Sequence, residues 1–110
     1  MKRDDFVYLK HILDAISRIE EYTRGLEYED FINSNLIQDG VIRQIEIIGE
    51  ATKKLSTEIR KKYPEMPWED MAGMRDKLIH DYFGVDIDVV WNTVERDIPK
   101  LKNKLKDIFG

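Results

Sequence analysis

Val41-Ile-Arg-Gln-Ile45-Glu-Ile-Ile48-Gly49-Glu-Ala-Thr52-Lys-Lys-Leu55-Ser-Thr-Glu-Ile59-Arg-Lys-Lys62 decides the fold class. Val41, Ile45, Ile48, Thr52, Leu55 and Ile59 alternate spacings of four and three, which places them on one face of a helix. Ile42, Ile47 and Ala51 widen that face, so it should be buried against more than one neighbour. Gly49 sits mid-helix, where it costs up to about 1 kcal/mol relative to alanine. Its predicted return is the close approach of another helix. Arg60, Lys61 and Lys62 close the segment with the charge a helix C-terminus favours. The reading is one helix from Leu36 or Val41 to Lys62.

The same periodicity extends both ways. Upstream, Phe6, Leu9, Ile12, Leu13, Ile16 and Ile19 form a stripe on a first helix of about twenty residues, capped by Asp4 or Asp5 and stopped at Gly25. Residues 26–40 read as a connector with one or two helical turns, and Asn33-Ser-Asn35 and Asp39-Gly40 are turn and cap signals. Downstream, Tyr63 to Pro67 is a linker. Pro67 opens a further helix with Glu69 and Asp70 in its first turn. Trp68, Met71, Met74 and Leu78 form that helix's buried face, and Phe83-Gly84 ends it. Asp86 or Asp88 caps the last helix, whose stripe is Val90, Val94, Ile98, Leu101, Leu105 and Ile108. Pro99 lies inside the stripe and predicts a kink rather than two helices. Trp68 and Trp91 read as packing residues. The expected architecture is all-α: an up-and-down bundle of four long helices plus a short extra helix, in a single domain over residues 1–110.

Composition narrows the function. A chain of 110 residues has room for one modest core. With 3 prolines and 6 glycines it is too poor in turn residues for a β-sandwich. It contains no cysteine, which removes disulfides and thiolate metal sites and fits a reducing compartment. The charged N-terminus does not read as a signal peptide, and no apolar run is long enough to span a bilayer; the expected location is the cytoplasm. The formal net charge of −4 argues against a general nucleic-acid coat while allowing a small site with local positive charge. Lys100, Lys102, Lys104 and Lys106, and the set Lys53, Lys54, Arg60, Lys61 and Lys62, read as solvated faces. His11 reads as a structural or surface histidine.

One stretch carries chemistry: Arg75-Asp76-Lys-Leu-Ile-His80-Asp81-Tyr82. Asp76 and His80 are four apart, so on a helix they share a face and Asp76 could orient the imidazole and favour its protonated form. Arg75 and Tyr82 are seven apart and return to nearly the same stripe. Two such helices across a two-fold axis would bring two arginines and two histidines into one cleft. A histidine can exchange a proton with an RNA 2′-hydroxyl or the leaving oxygen, and a guanidinium can stabilise charge building at phosphorus. Spacing alone leaves this open beside a plain surface or ion-pair role for the same residues.

The stretch resembles the Arg-x4-His-x-Tyr motif of the HEPN superfamily in its HepT toxin branch. Ile45-Glu-Ile-Ile-Gly-Glu-Ala51, Pro67-Trp68, His80-Asp-Tyr-Phe-Gly-Val-Asp86 and Trp91 extend the resemblance over almost the whole chain. It implies a HEPN bundle, a homodimer with the motif at the shared cleft, and a metal-independent endoribonuclease without a cofactor, acting on RNA. It further implies a toxin of a type VII toxin–antitoxin pair, whose partner is an MntA-like nucleotidyltransferase antitoxin. Carried over by position, Arg75 and His80 are the catalytic pair, Asp76 the supporting polar residue, and Tyr82 the tyrosine that receives AMP. Two other readings stand beside this one: a non-enzymatic helical partner of a minimal nucleotidyltransferase, and a dimeric structural bundle.

Overall fold

The computed structural model describes residues 2–78 and 84–109. Its elements are α1 (Arg3–Thr23), α2 (Tyr28–Ile32), α3 (Asn35–Lys53), α4 (Thr57–Lys62), α5 (Trp68–Ala72), α6 (Met74–Leu78), α7 (Ile87–Asn92), a π-helical turn (Thr93–Asp97) and α8 (Ile98–Phe109). Four rods make the all-α bundle: α1, α3, α5 with α6, and α7 running through the π turn into α8. The short helices α2 and α4 fill the corners. Among the described residues no helix is long and apolar enough to cross a membrane.

The predicted stripes form the core. Leu9, Ile12, Ile16 and Ile19 of α1 pack with Val41, Ile45 and Ile48 of α3, all of them buried. Phe6 departs from its expected core position. It lies at the rim, with its ring edge-on to Phe109 at 5.7 Å. Gly25 has φ +74°, the left-handed conformation that ends α1, and the Leu26 N–H returns to the Thr23 carbonyl at 3.0 Å. Ser34 caps α3 by accepting from the Ile37 N–H, so α3 begins at the Asn33-Ser-Asn35 signal rather than at Val41. Trp91 packs on Phe31 at 5.1 Å and Tyr28 at 6.3 Å, docking α7 on α2.

The helix expected to run to Lys62 is broken at Lys54–Ser56, and α4 starts anew. A side chain from far away in sequence braces the break. Asp5 was expected as a possible cap of its own helix. Instead, 3% exposed, it accepts from the Ser56 N–H at 2.9 Å and the Ser56 hydroxyl at 2.6 Å. The same hydroxyl accepts from the Ile59 N–H and caps α4. Arg60 Nη2 donates to the Thr52 carbonyl at 2.7 Å and satisfies the exposed end of α3. Arg60 is therefore a capping residue and not part of a free basic face.

The helical rod runs on through Pro99 instead of dividing into two helices, with a specific local form. The proline ring crowds the carbonyl four residues back and Pro99 has no N–H to donate. The chain accommodates this with the π turn at 93–97, where the Ile98 N–H reaches back five residues to the Thr93 carbonyl. The rod continues, and Lys102 clips it to Glu20 of α1 at 3.0 Å.

Candidate functional site

The motif begins on α6, whose position is set from both sides. Pro67 occupies the cap position of α5, one residue before the place expected for it, with Glu69 and Asp70 in the first turn. Trp68 is buried and donates its indole N–H to the Tyr63 carbonyl at 2.9 Å, which fixes the linker. α5 then crosses α3 at Gly49. A Cβ there would stand 3.2 Å from the Ala72 carbonyl oxygen, tighter than most real contacts. The glycine gives the close approach that the sequence predicted. Gly73 separates α5 from α6, donating its N–H to the Glu69 carbonyl and accepting from the Lys77 N–H.

Met74 and Leu78, four apart, are buried and anchor α6. That orientation leaves Arg75, Asp76 and Lys77 exposed. Arg75 Nε lies 3.7 Å from Oε2 of Glu46 on α3, with the arginine side chain 49% exposed. Arg43 Nη1 approaches the same oxygen at 4.0 Å. Asp76 makes no hydrogen bond or ion pair with another described residue. His80 and Tyr82 lie outside the described residues, as do the expected Asp76–His80 contact, the Arg75–Tyr82 stripe and the helix end at Phe83. Leu78 and Asp86, which bracket the histidine and tyrosine, are joined by a hydrogen bond from the Asp86 N–H to the Leu78 carbonyl at 2.9 Å. Asp86 also caps α7 by accepting from the Asp88 and Val89 N–H groups.

Sequence reasoning missed Glu46 and Arg43. Periodicity gives no pairing between positions 46 and 75. The one available signal was an acid standing between Ile45 and Ile47 within a broad apolar face.

A cleft of about 330 Å³ lies on another side of α6, between α5–α6 and the α7–α8 rod. Met71, Met74 and Leu101 floor it, and Lys77, Lys100 and Lys104 are matched by Glu69, Asp70 and Asp97 on its rim. It therefore presents no excess of either charge. Among the described residues no three His, Asp or Glu side chains converge at metal-binding spacing. His11 is exposed, with its ring edge-on to Tyr8.

A family model described as ribonuclease HepT-like matches residues 12–108. The chain belongs to this family. Its HepT-like relatives include a Thermococcus cleftensis protein named "Probable ribonuclease HepT", 51% identical over 98% of this chain and 98% of its own length. A Methanocaldococcus jannaschii protein named as a gamma-glutamylcyclotransferase and putative RNase is 52% identical over 99% of this chain. The chain spans about half, 49%, of that longer relative. Another protein of the same organism, named a putative RNase, is 48% identical over 99% of this chain and 93% of its own length. No solved structure matches the chain.

Proposed function

We propose that this HepT-like chain is a metal-independent endoribonuclease acting as the toxin of a toxin–antitoxin pair. The observation that carries this reading is the near full-length similarity to a protein named a ribonuclease of this family. The exposure of Arg75 on a braced helix supports it. Arg75 would grip the non-bridging oxygens of the scissile phosphate and stabilise charge in the transition state. His80 would transfer a proton to or from the reacting oxygens, with Asp76 orienting the imidazole. Two copies would pair with their motifs in one shared cleft. RNA cleavage in the presence of a chelator tests the reading: wild type yields discrete fragments and His80→Ala none. Failure of both folded proteins to cut would favour a non-enzymatic partner of a nucleotidyltransferase, the reading to which the net charge of −4 lends weight.

Control of the toxin would run through Tyr82. A cognate MntA-like nucleotidyltransferase antitoxin would transfer AMP from ATP to the phenolic oxygen. The phenolic proton is lost and pyrophosphate leaves. The added phosphate and adenosine would place bulk and negative charge beside Arg75 and His80 and repel an RNA phosphate. Mass spectrometry of chain co-expressed with the transferase should find AMP on Tyr82 and no cleavage by the modified protein. Modification confined to other residues would remove Tyr82 from the account.

A further inference from the structure

We propose that Arg43 and Arg75 form a single phosphate cradle, and that Glu46 is the positioning residue that holds them side by side. The proposal rests on the ribonuclease reading and extends its substrate contacts to a residue outside the motif. Arg43 and Glu46 are three apart on α3 and share one helix face. Gly49, three residues beyond Glu46, lies on the buried side of α3, where a Cβ would stand 3.2 Å from the Ala72 carbonyl oxygen of α5. The crossing that needs a glycine thus brings α6 near enough for Arg75 to reach Glu46.

The geometry favours an anion as the ligand. Two guanidinium groups approach one carboxylate oxygen, at 3.7 and 4.0 Å, so within this triplet positive charge exceeds negative by one. Both contacts are longer than hydrogen bonds, so the carboxylate attracts the arginines without using their donors. Arg75 approaches through Nε, which leaves its terminal nitrogens for a bidentate grip on a phosphate. The carboxylate is the inner member, 33% exposed against 49% for Arg75 and 68% for Arg43. The cationic ends therefore face solvent above the acid. A phosphodiester would bind both guanidiniums or lie on Arg43 next to the one being cut. In a chain of net charge −4, this local excess supplies attraction that the whole molecule lacks.

The test measures binding of a single-stranded RNA oligonucleotide as a function of salt by fluorescence anisotropy. It uses His80→Ala protein, verified free of modification at Tyr82, so that bound RNA is not consumed. Adding Arg43→Ala should weaken binding and make the log–log salt slope shallower by about 0.7, the value for one lost contact to a single strand. Arg75→Ala should do the same. Lys2→Ala, removing a comparably exposed cation paired with Glu58, should leave the slope unchanged. With His80 restored, Glu46→Gln should keep or tighten RNA binding and slow single-turnover cleavage, because it removes a negative charge and frees Arg75. A merely structural Glu46 would not split binding from rate in this way. If Arg43→Ala binds RNA like its parent while Arg75→Ala does not, the cradle is wrong and the ribonuclease reading stands. If wild type neither binds nor cleaves RNA, both fall together.

Discussion

Two carboxylates each tie a helix to a distant segment, and they do it in opposite ways. Asp5 is buried and makes hydrogen bonds of 2.9 and 2.6 Å to Ser56, joining α1 to the turn before α4. Glu46 is partly exposed and stands 3.7 and 4.0 Å from two arginines, joining α3 to α6. The first pair satisfies donors that have no better partner. The second leaves donors unspent on side chains that remain about half or more exposed. A tight, buried, hydrogen-bonded contact contributes stability; a loose, exposed, charge-unbalanced one contributes a place for a ligand.

The contrast breaks most readily at Asp5. Asp5→Ala removes two hydrogen bonds to a charged group and leaves Ser56 donors unpaired, so we expect a loss of about 2–3 kcal/mol in urea unfolding. The rate of RNA cleavage by the remaining folded protein should not change. Equal stability of variant and wild type would show that Asp5 does not organise the α3–α4 break.

Gly49→Ala should come next. The new methyl gains helix propensity but meets the Ala72 backbone at 3.2 Å, and backbone does not yield easily. A net loss of about 1–2 kcal/mol is expected, because overpacking outweighs the propensity gain. Cleavage should also slow, since α6 would move away from Glu46. A stabilised, fully active Gly49→Ala would contradict the role given to the crossing.

Glu46→Gln should change stability by less than about 0.5 kcal/mol, as expected for exposed ion pairs. Its effect belongs in the cleavage rate, for which a loss of about tenfold corresponds to 1.4 kcal/mol of transition-state stabilisation. Equal effects on unfolding and on rate would merge the two carboxylates into one class.

The smallest effect concerns Tyr28. Its hydroxyl donates to Asp88, and that hydrogen bond, with the nearby negative charge, raises the phenol above its ordinary value of 10.0. A group whose folded pKa is raised contributes stability that is present below the unfolded value and lost as pH rises through the folded one. The contact of α2 with α7 should therefore weaken only above about pH 10. Tyr28→Phe should remove that alkaline component in pH-dependent unfolding and leave neutral-pH behaviour nearly unchanged.

Local rules carried the bundle far. The stripes on α1 and α3, the Gly25 stop, the Asp86 cap and the strain at Pro99 all follow from residues within a few positions of one another. Gly49 was legible because a glycine inside a strong helix pattern needs a packing reason. The failures are contacts between distant positions. Nothing near Asp5 says that it will serve Ser56, and nothing in the apolar period of α3 says where that helix stops. The site divides in the same way. The Arg75 motif was visible as a local string, whereas Glu46 and Arg43 join it only through the packing of α5 and α6 on α3.

Arg75 is the point where fold and proposed chemistry meet, and one paired measurement tests it. Single-turnover RNA cleavage and thermal unfolding should be recorded for wild type and Arg75→Ala, both unmodified at Tyr82. We predict a rate at least about a hundredfold lower, near 2.7 kcal/mol of transition-state stabilisation, with the unfolding midpoint almost unchanged. A lowered midpoint with cleavage intact would make Arg75 a structural residue and contradict the account.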